Sequence, residues 1–191
     1  MEDVEPEIAI SDPKAMRALA HPVRLRLLAE LRERGPQNVR ALSDRLDEPP
    51  NSVSYHLRTL QKYGFVADAP GRASDGRESW WRALHRRTSW DPAAVADSPE
   101  LRTAGAELER QVLRRWYEKL ATYLDRKESL DPAWVRASVS TDASLVLTPE
   151  QLAEMRDELR MLLARWEQRS DSSLPGAAPV TVLINAFRTA E

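Results

Sequence analysis

Hydrogen-bonding side chains recur on one face of a predicted helix over residues 51–63. Asn51, Tyr55, Arg58 and Lys62 are spaced by four, three and four residues, as one helical face requires. Ser52 and Thr59 flank this stripe, and Ser54 lies near it. Asparagine and arginine form paired hydrogen bonds with adenine and guanine edges, and hydroxyl and ammonium groups reach phosphates. An ordinary solvated helix face has a similar composition, so this pattern alone leaves both interpretations open.

The elements that must position this face are a short helix predicted over residues 39–46 and a break at Pro49-Pro50. Asn38 is a suitable N-cap for the first helix. In the second helix, Val53, Leu57 and Leu60 form an apolar stripe away from the polar face. Two short helices joined by a tight turn are typical of a helix-turn-helix.

A basic hairpin is predicted directly after this helix. Residues 65–67 and 79–84 have strand composition, and the intervening segment is rich in glycine and polar residues. Arg72 and Arg77 lie near the predicted tip, and further arginines follow it at positions 82, 86 and 87. A basic hairpin beside a polar helix indicates a wing that contacts phosphates or the adjacent minor groove.

The charge is distributed unevenly along the 191 residues, although the net charge is only −2. Residues 1–13 sum to −5, residues 14–90 to +7 and residues 91–191 to −4. A basic block between acidic ones indicates a polyanion-binding module joined to a second part. The absence of cysteine excludes disulfides, thiolate zinc sites and thiol nucleophiles. We expect a cytoplasmic protein without a secretory signal or membrane span.

The predicted fold is mainly α with a small β component (α+β), organised as a winged helix-turn-helix and a C-terminal region. Helices are predicted over residues 13–20, 22–34, 100–127 and 149–169, besides the two named above, and short strands over 134–139, 144–147 and 180–187. The predicted divisions are an acidic tail (1–11), the DNA-binding domain (12–87), a linker (88–99) and a dimerisation or effector region (100–191).

The C-terminal region offers apolar stripes for a homodimer. We assign most of the interface to the long helix together with the N-terminal helix, through Leu101, Leu108, Val112, Trp116 and Leu120, although such a stripe also suits an intramolecular core. The stripe of the helix over 149–169 is also wide enough for an interface, and the sequence leaves the choice between the two helices open. Tryptophans of this region line either a small-molecule effector pocket or an ordinary core. No cofactor and no metal site are expected, because the three histidines lack metal-ligand spacing.

Three segments resemble ArsR-type winged-helix regulators. They are ALAHPVRLRLL at residues 18–28, PNSVSYHLRTL at 50–60 followed by KYGFV at 62–66, and GRESWWR at 76–82. The resemblance implies a dimeric DNA-binding regulator, usually a repressor, in which His21 and His56 occupy structural positions. It departs from thiolate-sensing members because this chain has no cysteine. The C-terminal half resembles an appended helix–strand–helix–strand region found in some members.

The sequence therefore predicts a homodimeric, sequence-specific DNA-binding repressor. It would bind a pseudo-palindromic operator through helix 51–63 and the wing 68–82. Two alternatives are a winged helix used for protein–protein contacts and a ligand-responsive sensor. An enzyme is not expected, because the sequence has no glycine-rich phosphate loop, nucleophile elbow or metal-ligand pair.

Overall fold

The computed structural model describes residues 4–69, 79–90, 95, 98–171 and 173–189. The described helices are α1 Pro13–Leu19, α2 Pro22–Arg34, α3 Val39–Leu46, α4 Pro50–Lys62, α5 Pro99–Arg126, α6 Pro132–Ala137 and α7 Pro149–Gln168. The strands are β1 Glu5–Ala9, β2 Gln37–Asn38, β3 Val66–Asp68, β4 Trp80–Ala83 and β5 His85–Ser89. The predicted class, mainly α with small β, is confirmed.

The chain divides into two units, residues 1–124 and 125–191. The core of the first unit collects buried side chains from α1 to α5 and from β3 and β4, with Leu27, Leu57, Phe65 and Leu108 all fully buried. The first half of α5 therefore belongs to the winged-helix core. This places the division after residue 124, inside the long helix, instead of at the predicted linker 88–99.

Two small sheets frame the helices of the first unit. The first has the order β2-β4-β3, with both pairs antiparallel, and forms the base of the wing. The second pairs β1 with β5 in parallel, joining Glu7 to Arg87 and Ala9 to Ser89. The segment predicted as an acidic tail thus contributes a strand, and the predicted linker begins within β5. Their pairing is between distant segments, so local sequence composition gave no signal of it.

Local capping explains where several helices begin. The Asp12 carboxylate accepts a hydrogen bond from the Lys14 amide at 2.9 Å, and Asn38 accepts one from the Ala41 amide at 2.8 Å. Each satisfies an amide that the first helical turn leaves without an intrahelical partner. At Thr148 the full capping box with Gln151 is formed, as the sequence predicts.

The second unit differs from its prediction. Residues 132–137 form the helix α6, because Asp131 caps it and Pro132 occupies its first position, which outweighs the β propensity of Trp134 and Val135. Residues 144–147 and 180–187, predicted as strands, have no regular secondary structure and are largely exposed. A strand needs a neighbouring strand for its backbone groups, and the described residues of this unit provide none.

Candidate nucleic-acid interface

Helix α4 separates its residues cleanly between a buried and an exposed face. Val53, Leu57 and Leu60 are fully buried in the core. The opposite face carries the predicted stripe, in which Asn51, Tyr55, Arg58 and Lys62 are all exposed, while Ser52, Ser54 and Thr59 are half-buried beside it. Burying one face against α2 and α3 fixes the direction in which the polar face points.

The turn between α3 and α4 is held by side chains from the surrounding helices. Asp47 adopts a left-handed conformation with φ of 52°, which ends α3. The Arg26 guanidinium donates to the Leu46 carbonyl at 2.6 Å, and the Ser43 hydroxyl donates to the Glu48 carbonyl. The first contact satisfies the last carbonyl of α3, and the second satisfies a carbonyl of the turn itself, so both hold the turn that precedes α4.

The two helix N-termini differ in what they offer an anion. At α3 the Asn38 side chain already occupies the Ala41 amide. At α4 the N-cap is Pro49, whose side chain forms no capping hydrogen bond. The first amides of α4, from Asn51 onward, therefore lack a side-chain cap, and a helix N-terminus of this kind favours phosphate.

Several stripe residues have additional contacts within the protein. The Thr59 hydroxyl donates to the Tyr55 carbonyl at 3.0 Å, one turn earlier in the helix. The Lys62 ammonium lies 5.6 Å from the centre of the Tyr63 ring. The Tyr55 side chain is 64% exposed, and its ring lies edge-on to His56 with centroids 5.2 Å apart. The stripe is therefore outward-facing, with Tyr55 supported by His56.

His21, which precedes α2, and His56 of α4 form a contacting pair. The resemblance implied structural positions for both residues, but their mutual contact was not predicted. The rings of His21 and His56 are 4.5 Å apart at their centroids. The Val23 amide donates to His21 Nδ1 at 3.2 Å, so His21 caps α2 and joins it to α4. Burial lowers the pKa of both histidines, the nearby Arg24 charge lowers it further, and Glu48 opposes the effect. Both rings are consequently held neutral near pH 7.

Arg24 completes this cluster and was not singled out from the sequence. Burial lowers the pKa of its guanidinium, while Tyr55 and Tyr63 act in the opposite direction. Its Nε atom is buried without a hydrogen-bond partner. Arg24 lies in α2, far in sequence from Tyr55 and Tyr63, so its position near both tyrosines could not be predicted without knowing how α2 packs on α4.

The wing is described only at its base. Gln61 of α4 donates to the Asp68 carboxylate at 2.9 Å, which ties the helix to β3. The Ala69 amide donates to the Trp80 carbonyl at 2.7 Å and continues the antiparallel pairing. Arg72 and Arg77, predicted as wing contacts, lie outside the described residues.

The basic residues after the wing are partly neutralised by the N-terminal strand. Arg87 is 3.5 Å from the Glu7 carboxylate, and His85 is 3.2 Å from that of Glu5. Arg32 of α2 donates to the His85 carbonyl and to the Thr88 hydroxyl, both at 2.8 Å, and burial lowers its pKa to about 10. These contacts join β5 to β1 and to α2, so the charged residues at this edge of the unit stabilise the fold.

The predicted dimer stripe of α5 requires correction. Leu108 is fully buried in the core of its own unit, and Leu101 and Val112 pack against that core. These three residues stabilise their own chain, because the helix turns this face toward α2. Trp116 is half-buried, and Leu120 is 47% exposed.

The sequence left open whether the tryptophans of the C-terminal region line an effector pocket or an ordinary core. Trp90 packs against the core and donates to the Glu109 carboxylate at 3.1 Å, whereas Trp134 and Trp166 are exposed. A cleft lined by residues of α2 and α5, among them Leu25 and Arg115, has a volume of about 30 Å³, far below the several hundred Å³ usual for ligand sites.

The described part of the chain contains neither a cluster of metal-ligating side chains nor a helix suited to span a membrane. No group of three or more metal-ligating side chains lies together there. No helix in the same residues is both long and apolar enough to cross a membrane.

Comparison with known proteins concentrates on the same elements. A family model described as a helix-turn-helix domain matches residues 19–68. A solved structure described as "Possible transcriptional regulator for arsenical resistance" is 28% identical, covering 53% of this chain and 95% of that one, with a TM-score of 0.33. A transcriptional regulator from Thermotoga maritima is 15% identical, covering 78% of each chain, with a TM-score of 0.32. No curated protein matches the chain.

The matched residues contain α3, the turn and α4, so the exposed polar face lies on the second helix of the matched pair. Residues 19–68 are a helix-turn-helix domain, and this supports a DNA-binding transcriptional regulator.

Proposed function

We propose that the protein is a sequence-specific, homodimeric repressor of the ArsR type that binds a pseudo-palindromic operator. The observation that carries the proposal is the division of α4, whose inner face is fully buried while Asn51, Tyr55, Arg58 and Lys62 stand exposed on the other. A helix fixed in this way can enter the major groove with a defined set of donors and acceptors.

Phosphate contacts follow from the surroundings of α4. Its N-terminus lacks a side-chain cap, and residues 14–90 carry a formal charge of +7. Anion binding at the N-terminus and arginines of the wing, including Arg72 and Arg77, would fix the register of α4 on the duplex without reading sequence. ArsR-type regulators that sense metals through thiolates are not the model for this chain, because it has no cysteine.

Dimerisation is proposed through a stripe of α5 that shares only Leu120 with the one predicted from the sequence. Leu113, Tyr117, Leu120 and Leu124 are between 47% and 74% exposed and lie on the face away from the core. Their spacing of four, three and four residues reads the same in both directions. Two antiparallel copies of the helix therefore place Leu113 opposite Leu124 and Tyr117 opposite Leu120, as a two-fold interface requires.

A gel shift with selected operator DNA tests the assignment of α4. We expect Arg58→Ala to weaken operator binding by about 1–3 kcal/mol and to relax sequence preference at one position. Tyr55→Ala should act similarly. Arg110→Ala, which removes the same charge from α5, is the matched control and should leave sequence preference unchanged. Operator binding by both α4 variants equal to the wild type would rule out the α4 assignment.

The salt dependence of binding separates the wing from α4. Arg77→Ala should weaken binding to all sequences alike and reduce the salt slope by about one for each lost phosphate contact. Reporter transcription from a promoter carrying the operator then distinguishes repression from activation.

A further inference from the structure

We infer that helix α7 pairs antiparallel with α7 of a second copy of this chain, through Met155, Leu159, Leu162 and Trp166, with Glu158 of each copy facing Arg165 of the other. The inference deepens the homodimer proposed above by naming a contact surface in the second unit. It rests on observations of α7 that are independent of the α5 stripe.

The first feature is an apolar stripe that the second unit covers only in part, with the Arg169 guanidinium 4.2 Å from the centre of the Trp166 ring. Among the described residues from 125 onward no side chain is buried. On α7, Leu162 is 40% exposed and Trp166 is 54% exposed, while Met155 and Leu159 are half-buried. The four residues are spaced by four, three and four, which is the spacing of a coiled-coil seam.

The second feature is a segregation of charge along the same helix. The first half is mainly acidic and the second half mainly basic, through Glu150, Glu154, Asp157, Glu158 and then Arg160, Arg165, Arg169. Arg156 and Glu167 are the two exceptions to this segregation. Arg156 is already paired with Asp157 at 2.8 Å. Antiparallel pairing places the acidic half of one copy beside the basic half of its partner, whereas parallel pairing places like charges together.

The apolar seam and the charges select the same register. When Met155 faces Trp166 and Leu159 faces Leu162 of the second copy, the residues that flank the seam on one side are 158 and 165. In an antiparallel pair these flanking positions face each other. Glu158 and Arg165 are both exposed, and the two-fold symmetry forms their contact twice. In a parallel pair Glu158 would instead face Leu163, which provides no opposite charge.

Compensation of the helix dipole does not account for this pattern by itself. Acidic residues in the first turn and basic residues in the last turn stabilise any single helix, but the effect falls off within one turn. Glu158 lies in the middle of α7, well beyond the first turn. Dipole compensation therefore does not explain its position, and in the inferred pairing Arg165 of the second copy provides the opposite charge.

Charge reversal in the full-length chain tests the inference by sedimentation equilibrium. We expect Glu158→Arg and Arg165→Glu each to raise the dimer dissociation constant about tenfold, because each places like charges together twice. The double variant Glu158→Arg/Arg165→Glu should return the constant to within about threefold of the wild type. Glu150→Arg, at the first turn and outside the seam, is the matched control.

The outcomes separate this inference from the proposed function. A wild-type chain that stays monomeric would overturn both the dimer and the α7 pairing. A dimer that binds operator DNA but does not respond to either reversal would overturn the α7 pairing alone. Reversals that weaken the dimer without rescue in the double variant would overturn the antiparallel register and indicate another occupant of the stripe.

Cysteine cross-linking provides a second measurement of the register, since the chain has no cysteine of its own. In the inferred pairing, positions 158 and 165 of different copies are about 3 Å apart along the helix axis, whereas two copies of position 158 are about 7.5 Å apart. A mixture of Glu158→Cys and Arg165→Cys chains should form the mixed disulfide faster than either self-disulfide. Equal rates would contradict the inferred register.

Discussion

The two units of this chain use similar helices in opposite ways. In the first unit, α4 and the first half of α5 press leucines into a shared core, and Leu57 and Leu108 are fully buried. In the second unit, α7 is longer than α4 and better capped, yet none of its side chains is buried. Helix formation is thus a local matter in the second unit, whereas tertiary packing stabilises the helices of the first.

This difference bears directly on function. A surface that reads a polymer must be held rigidly, and the core beneath α4 holds it. An exposed apolar stripe is stabilised when a partner surface covers it and removes its side chains from water. The contrast agrees with the proposal that α4 of the first unit recognises DNA and that the exposed stripes mediate association, and each of the following experiments tests a part of it.

The largest effect is expected from truncating the core of the first unit. Leu108→Ala removes a fully buried side chain and should lower the free energy of unfolding by about 2–5 kcal/mol. Leu145→Ala, at a position that is 61% exposed in the second unit, is the control and should change it by less than about 0.5 kcal/mol. Denaturant titration measures both. Similar losses in the two variants would show that the second unit also has a core.

The histidine pair should make the first unit sensitive to acid. The pKa of His21 and of His56 is lowered by burial and then by neighbouring charge, so the unfolded chain takes up protons first. Their contribution is complete above the unfolded pKa of about 6.5 and is lost as the pH falls toward the lower folded values. Protonation of His21 Nδ1 also removes the acceptor for the Val23 amide.

Unfolding measured between pH 5 and pH 8 tests this prediction. The variant His21→Asn keeps a side-chain oxygen that can cap α2 but does not titrate, so its loss of stability on acidification should be smaller. An unchanged pH profile in the variant would remove His21 from the explanation.

Two cap substitutions compare the units at the level of a single hydrogen bond. Asn38→Ala and Thr148→Ala each remove a side-chain cap worth about 1 kcal/mol. Because α3 packs into the core, Asn38→Ala should lower the stability of the whole first unit. Thr148→Ala should instead reduce helix content without moving the main unfolding transition. Circular dichroism and tryptophan fluorescence followed together separate the two results.

The smallest effect is expected at the edge of the first unit. Glu7→Gln removes an ion pair with Arg87 that is partly exposed on both sides, and such pairs contribute about 0–1 kcal/mol. Its stability should therefore remain close to that of the wild type. Its affinity for non-specific DNA should rise slightly at low salt, because one negative charge is lost beside Arg87. A large loss of stability would mean that strand β1 depends on this pair.

The amino-acid sequence by itself determined the helices of the helix-turn-helix and the polar face of α4. Caps at Asp12, Asn38 and Thr148 are local signals, and the spacing of Val53, Leu57 and Leu60 separates the inner from the outer face. These features were predictable because they depend on residues within one or two helical turns.

Only the tertiary structure decided which apolar residues are covered. The stripe at Leu101, Leu108 and Val112 is as apolar as the exposed one at Leu113, Tyr117 and Leu124, and no local pattern states which side meets α2. Pairing of β1 with β5 and the contact of the His21 ring with the His56 ring join residues distant in sequence, so they too had no local signal. Periodicity shows that a face exists, and packing decides what that face contacts.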